Sequence, residues 1–240
     1  MALMPHPNNP ILCAVDKTYI TEARTLVNQV RGAVGGIKLG LEFFTANGAA
    51  GVQGLANNET PVFLDLKFHD IPNTVAKAIK ATAGINTFMM TVHTSGGRDM
   101  LRAAIDASME VADLTGSERP LIVGVTVLTS MDQDDLSIVG IREKLTDQVL
   151  RLADLAQSSG LDGVVCSPYE IQMIKKHCGS DFKLVVPGIR PAGSDAGDQK
   201  RIMTPKQAIE NGADYLVIGR PITESISPAS TAAEILASLR

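Results

Sequence analysis

Short apolar runs recur along the whole chain: ILCAV at residue 11, GGIKL at 35, VFLDLKF at 62, TFMMTV at 87, LIVGVTV at 121, GVVC at 163, KLVVP at 183 and YLVIG at 215. Their lengths and β-type composition predict eight strands. Between them lie stretches whose apolar residues fall at three- and four-residue steps, such as TEARTLVNQV, NTVAKAIKATAG, DMLRAAIDASMEVADL, TDQVLRLADLAQSSG, YEIQMIKKHC and PKQAIENGA. That period predicts amphipathic helices. Gly84, Gly160 and Gly212 each follow a helical stretch and precede a strand, where a left-handed C-terminal cap calls for glycine. Several strands are apolar almost throughout, as parallel strands covered on both faces should be.

Strand followed by helix, eight times over, predicts the α/β class and a (β/α)8 TIM barrel, one domain over residues 1–240 with residues 1–10 as an N-terminal tail. An open doubly wound sheet fits less well, because neither a GxGxxG turn nor a break in composition divides the chain into halves. Two polar segments exceed a bare barrel, TSMDQDDLSIVG after the fifth strand and RPAGSDAGDQKRIM after the seventh. Both read as extended loops on the face where barrels keep their active sites.

The length of 240 residues suits one such barrel, and 45% hydrophobic with 20% charged residues is ordinary globular composition able to bury a large core. A formal charge of -4 offers no basic field for a polyanion, so the sequence predicts no nucleic-acid partner; an anionic small molecule would need a local cationic pocket. Cys13, Cys166 and Cys178 are odd in number and lack CxxC or metal-ligand spacing, which argues against a disulfide framework or zinc site and fits a reducing cytoplasm. The opening MALMPHPNNP carries no cationic stretch before a long apolar run, so no secretory signal is expected. No run of 18 apolar residues occurs, and no membrane span is expected.

A barrel places its reactive groups at the C-terminal strand ends, and the polar residues there are Asp16, Lys38, Asp65 with Lys67, His93, Thr129 just past strand five, Ser167, Arg190 and the Gly219–Arg220 pair. The sharpest feature is DLKFHDIPNT at 65–74. Asp65 and Lys67 stand two apart on a strand, so both side chains are expected to face the barrel mouth, with Asp70 at the turn and Pro72 in the first turn of the next helix. A solvated strand end with incidental charges is the bland alternative, but Leu66 and Phe68 surround the charges, and apolar strand ends seldom bury Asp and Lys unpaired. Arg190 and Gly219–Arg220 fall in the loops after strands seven and eight, where barrels most often hold a phosphate. His93 is read as scaffolding and left out of the site, and the cysteines, Met89, Met90 and Met203 as packing.

With CAVD upstream, IKLG between, and VTVLTS, VVPGIRP and VIGRPI downstream, DLKFHDIPNT closely resembles the bacterial type of the orotidine 5'-phosphate decarboxylase family, from about residue 11 to residue 225. Carried onto this chain, the resemblance implies that Asp16 and Lys38 hold the ribose hydroxyls, with Lys38 also entering the catalytic charged array alongside Asp65, Lys67 and Asp70. Asp65 sits beside the substrate carboxylate, and Lys67 delivers the proton. Asp70 and Thr74 reach into the site of a second subunit, making a homodimer with shared sites. Thr129 lies near the pyrimidine, Gln199 bridges base and phosphate, and Arg190 with Gly219 and Arg220 grips the phosphate. Residues 190–203 then act as a phosphate-closing lid, to which Gly193 and Gly197 are suited as hinges.

The implied product is uridine 5'-phosphate, formed without a cofactor or metal. Loss of CO2 from C6 leaves electrons in an in-plane orbital that the ring cannot simply delocalise, and the chain offers no evident pyridoxal or thiamine site as a sink. Two other readings remain. A related barrel that works through a magnesium-bound enediolate shares the Asp-x-Lys-x-x-Asp pattern, but Lys38 would repel the metal. A non-catalytic phosphate-sensing barrel would have no need of a Lys–Asp–Lys array.

Overall fold

The computed structural model describes residues 4–5, 8–56, 60–85, 87–191 and 202–239. All eight expected strands form: β1 (Ile11–Ala14), β2 (Gly36–Gly40), β3 (Val62–Phe68), β4 (Thr87–His93), β5 (Leu121–Val125), β6 (Gly163–Val165), β7 (Lys183–Val186) and β8 (Tyr215–Ile218). Each pairs in parallel with the next, and β1 pairs with β8, closing a barrel in sequence order.

The near-continuous apolar character of the strands now has a physical cause. Leu12, Phe63, Phe88, Met89, Val123 and Val185 form an inner cluster, with Val165, Tyr215 and Val217 packed against it. Their strand neighbours Ile11, Cys13, Val62, Leu64, Met90, Ile122, Val164, Leu184 and Leu216 belong to the outer core beneath the helices. Except at Phe88 and Met89, where the β3–β4 register shifts, alternate residues thus serve two different apolar environments, so the period of two is hidden in the composition. Helices complete the outer layer; the Ile20–Val30 helix, for example, buries Ala23, Leu26, Val27 and Val30 along one stripe.

Three local features differ from the expectations. Helix Leu41–Ala56 was not evident from spacing, because Gly48 adopts φ 60 and ψ -166 and kinks it, breaking the apolar stripe. The polar segment after β5 contains a short helix, Gln133–Ile138, started by a capping box in which Asp132 accepts the N–H groups of Asp134 and Asp135, and Asp135 accepts that of Asp132. Gly160 and Gly212 have positive φ of 89 and 110, as a left-handed cap requires, but Gly84 does not. There the chain leaves helix Pro72–Lys80 through successive tight turns, Thr82 N–H to Ile79, Ala83 to Lys80 and Ile85 to Thr82.

At the N-terminal ends of the strands, Arg119 pairs with Asp162, which also accepts the Ile122 N–H at 2.7 Å. Beside it, Asp214 accepts Lys175 at 2.8 Å, Lys183 at 3.2 Å and the Leu184 N–H at 2.9 Å. These contacts tie the starts of β5 through β8 together, at the opposite end of the barrel from the polar strand ends. No helix among the described residues is long and apolar enough to cross a membrane.

Candidate active site

At the C-terminal ends of β1, β2 and β3 four charges form an alternating row. Lys38 Nζ lies 3.0 Å from Asp16 Oδ1 and 4.0 Å from Asp65 Oδ2, and Lys67 Nζ donates to Asp65 Oδ2 at 2.8 Å. The two central side chains are the most withdrawn from solvent, at 11% exposure for Lys38 and 12% for Asp65. Charges this buried persist because each has an opposite partner within reach. Gly40 makes room for the row: a Cβ there would stand 2.8 Å from Lys38 Nζ and 3.5 Å from Asp16 Oδ1.

Asp65 and Lys67 do meet, but along a distorted strand. Register between β3 and β4 shifts between Leu64, which faces Met90, and Phe68, which faces Val92. Within this irregularity Lys67 takes φ 52, the one non-glycine residue with positive φ among those described. A lysine held there costs on the order of 1–3 kcal/mol. Its N–H is bonded to Thr91 Oγ1 at 2.8 Å, and that hydroxyl donates to Asp65 Oδ1 at 3.0 Å. Nothing in the spacing of TFMMTV marked Thr91 as more than a strand residue.

Across the barrel, Arg190 is buried, with its backbone N–H bonded to Met203 O at 3.0 Å and Nη1 to Ile189 O at 2.9 Å. Arg220 opens the short helix Arg220–Thr223 directly after β8, with Gly219 as its preceding residue. Asp16, Lys38, Asp65, Lys67, Thr129, Arg190, Gly219 and Arg220 all line one cavity of about 520 Å³. Phe63, Val165 and Val217 of the inner layer also line it, so one pocket presents an apolar wall beside its charges. Lys17, Thr223 and Glu224 line it too and were not anticipated; Lys17 follows Asp16 directly, the single cue available.

Two expected site residues stand elsewhere. Asp70 and Thr74 are exposed and do not line this cavity; Asp70 accepts the Ile71 N–H at 2.7 Å, at the start of helix Pro72–Lys80. Gln199 and most of the 190–203 segment, including Gly193 and Gly197, lie outside the described residues. Ser167 and its neighbour Glu170 form a capping box at a 3-10 turn, a local structural use.

His93 stands beside the site without lining the cavity, its ring 5.3 Å from that of His69. Burial, reinforced by His69 and Lys67 and opposed by Asp65, holds its imidazole below the ordinary value of 6.5. Cys13, on β1 in the outer core, is pushed up to about 12 by burial and by Asp16, against the pull of Lys38. It is an inert thiol at neutral pH, and the apolar packing expected of it is what the strand provides. The pocket therefore combines the Lys38 and Lys67 ammonium groups held against Asp16 and Asp65 with the arginines that follow β7 and β8, and Lys17 and Glu224 add one further charge of each sign. Such a cavity suits a ligand with a polar or anionic reacting end and a phosphate some distance away.

Comparison with known proteins gives a consistent result. Residues 9–235 match the model of the family described as Orotidine 5'-phosphate decarboxylase / HUMPS family. Orotidine 5'-phosphate decarboxylase of Paramagnetospirillum magneticum is 52% identical over 231 residues, covering 96% of this chain and 98% of that one. The protein of the same name from Actinobacillus pleuropneumoniae serotype 5b is 51% identical over 233 residues, covering 97% and 100%. Among solved structures, orotidine 5'-phosphate decarboxylase from Lactobacillus acidophilus superposes with a TM-score of 0.85 at 34% identity, covering 97% of this chain and 99% of that one.

Proposed function

The chain belongs to the orotidine 5'-phosphate decarboxylase / HUMPS family, and on that premise we propose that it converts orotidine 5'-phosphate to uridine 5'-phosphate and CO2 without a cofactor, with Lys67 protonating C6. The activity is that of a carboxy-lyase of pyrimidine biosynthesis. The observation that carries the finer reading is the unbroken Asp16–Lys38–Asp65–Lys67 row in the same cavity as Arg190 and Arg220.

In this reading one barrel domain, residues 1–240, holds the phosphate with Arg190, Gly219 and Arg220, and the ribose hydroxyls with Asp16 and Lys38. The pyrimidine lies near Thr129, and Gln199 bridges base and phosphate. The reacting carbon then sits against the Asp65–Lys67 pair. As the C6–CO2 bond breaks, its electron pair stays on C6, and the Lys67 ammonium attracts that growing charge more strongly than it attracts the substrate. For unit charges ~4 Å apart at an effective dielectric near 20 the attraction is roughly 4 kcal/mol. Lys67 then transfers its proton to C6, and Asp65 stabilises the ammonium before transfer and fixes its direction.

That term falls short of the roughly 8–23 kcal/mol by which enzymes lower barriers, so binding of the phosphate across the barrel must supply part of the rest. Asp65 facing the substrate carboxylate contributes as a secondary effect by disfavouring the bound ground state. Asp70 and Thr74 serve the neighbouring site of a homodimer; their exposure, away from their own chain's cavity, supports that assignment. Three cysteines that form no disulfide among the described residues agree with a cytoplasmic setting.

The magnesium-enediolate reading is disfavoured by the position of Lys38, whose ammonium lies between Asp16 and Asp65 where a divalent cation would need those carboxylates. Incubating the purified protein with orotidine 5'-phosphate and a chelator, while following the loss of orotate absorbance, tests the proposal. Turnover that is indifferent to the chelator is expected. No turnover would overturn the activity, and turnover abolished by the chelator would overturn its independence of metal.

A further inference from the structure

Resting on the decarboxylase reading, we propose that Thr91 is a positioning residue for the reaction: its hydroxyl sets both the roll of the Asp65 carboxylate and the backbone that carries Lys67. Thr91 belongs to β4 and pairs in register with Val123. It is completely buried and lies above Met89 of the inner layer. An apolar residue of the same shape would suit that layer, so packing alone gives no reason for a hydroxyl.

The hydroxyl closes a ring. Lys67 N–H donates to Thr91 Oγ1 at 2.8 Å, Thr91 Oγ1 donates to Asp65 Oδ1 at 3.0 Å, and Asp65 Oδ2 accepts Lys67 Nζ at 2.8 Å. One carboxylate oxygen is thereby turned into the barrel wall. The other is aimed at the ammonium groups of Lys67 and, 4.0 Å away, Lys38. The same hydroxyl takes up the amide that the register shift between Leu64 and Phe68 withdraws from the regular ladder, at the residue with φ 52. Removing it would leave the part-buried Lys67 amide and the buried Asp65 carboxylate oxygen without these bonds at once, and both belong to the pair that faces C6.

Thr91→Val keeps the shape and deletes the hydroxyl, whereas Thr91→Ser keeps the hydroxyl. Both would be assayed beside the wild type for kcat and KM with orotidine 5'-phosphate, and for affinity toward uridine 5'-phosphate. A residue that only stabilises the fold would lower the melting temperature of the valine variant but leave kcat intact well below it. A positioning residue lowers kcat about 10²-fold, the order of loss that follows a misplacement of roughly 1 Å, while KM and product affinity change by less than about threefold. Thr91→Ser is expected to stay within about threefold of wild-type kcat, since the donor and acceptor are both retained. Where Thr91→Val does not fold, Thr91→Ala is read by the same criteria. A folded hydroxyl-free variant with wild-type kcat, or a serine variant as slow as the hydroxyl-free one, overturns the proposal. An inactive wild type overturns the decarboxylase reading itself, and this proposal with it.

Discussion

Gly40 and Lys38 stand two residues apart on β2, and a methyl group at residue 40 would lie 2.8 Å from the ammonium nitrogen of Lys38. The bare Cα is what lets that nitrogen fold back between Asp16 and Asp65. Gly40 does not need a glycine backbone, since its φ is not positive. Gly40→Ala should therefore displace the flexible ammonium at little cost to stability. Expected is a fall of about tenfold or more in kcat/KM, equivalent to ~1.4 kcal/mol of transition-state stabilisation, with an unchanged urea midpoint. Full activity in the variant would show that the position of Lys38 is not critical.

Lys67→Ala removes the proposed proton donor and the charge nearest C6. An attraction of roughly 4 kcal/mol corresponds to a loss of about 10³-fold from electrostatics alone, before loss of the proton is counted. Affinity for uridine 5'-phosphate should survive, because Arg190 and Arg220 follow β7 and β8, strands that do not pair with β3. Titration calorimetry with that nucleotide, next to a turnover assay, separates the two effects. Comparable turnover in the variant would remove Lys67 from its role.

Asp70→Ala and Lys67→Ala subunits, each inactive alone, should recover part of the activity when mixed and allowed to exchange. In a mixed dimer one site combines an intact Lys67 with an intact Asp70, and the other lacks both. Absence of recovery despite demonstrated exchange would place Asp70 outside the partner's site.

His93 contributes a pH dependence of stability whose sign follows from its depressed native pKa. Above 6.5 both folded and unfolded chains hold the imidazole neutral, and its contribution is fully present. As the pH falls through 6.5 toward the lower native value, the unfolded chain takes up a proton that the folded chain resists, so stability declines across that window. Urea midpoints measured at about pH 5.5 and pH 7.5 should differ more in the wild type than in His93→Asn. Equal differences would mean that other groups account for the whole effect.

Much of this was legible in the sequence because the physics that shapes strands and helices is local. The apolar runs named all eight strands, and the polar residues at their ends named eight residues that line one cavity. What escaped depends on contacts between distant segments. The Thr91 hydroxyl matters because a register shift on β3 delivers an amide to it, and no spacing rule on β4 reports a shift on its neighbour. The period of two correctly brought Asp65 and Lys67 to one face, yet it gave no sign of φ 52 at Lys67. Helix Leu41–Ala56 lost its stripe to a kink at Gly48, and Gln133–Ile138 is too short to show a period. Asp70 and Thr74 could be assigned from the family resemblance alone, because their proposed target is another chain.

The ion pairs Arg119–Asp162, Lys175–Asp214 and Lys183–Asp214 bind strand beginnings, whereas the described charged residues that line the cavity lie in the middle or later part of a strand or beyond its end. Durability and reactivity are thus lodged at opposite poles of the molecule. Substitutions at the former pole can adapt the protein to a hotter or saltier milieu while the catalytic apparatus stays as it is, and the two properties are free to evolve on separate schedules.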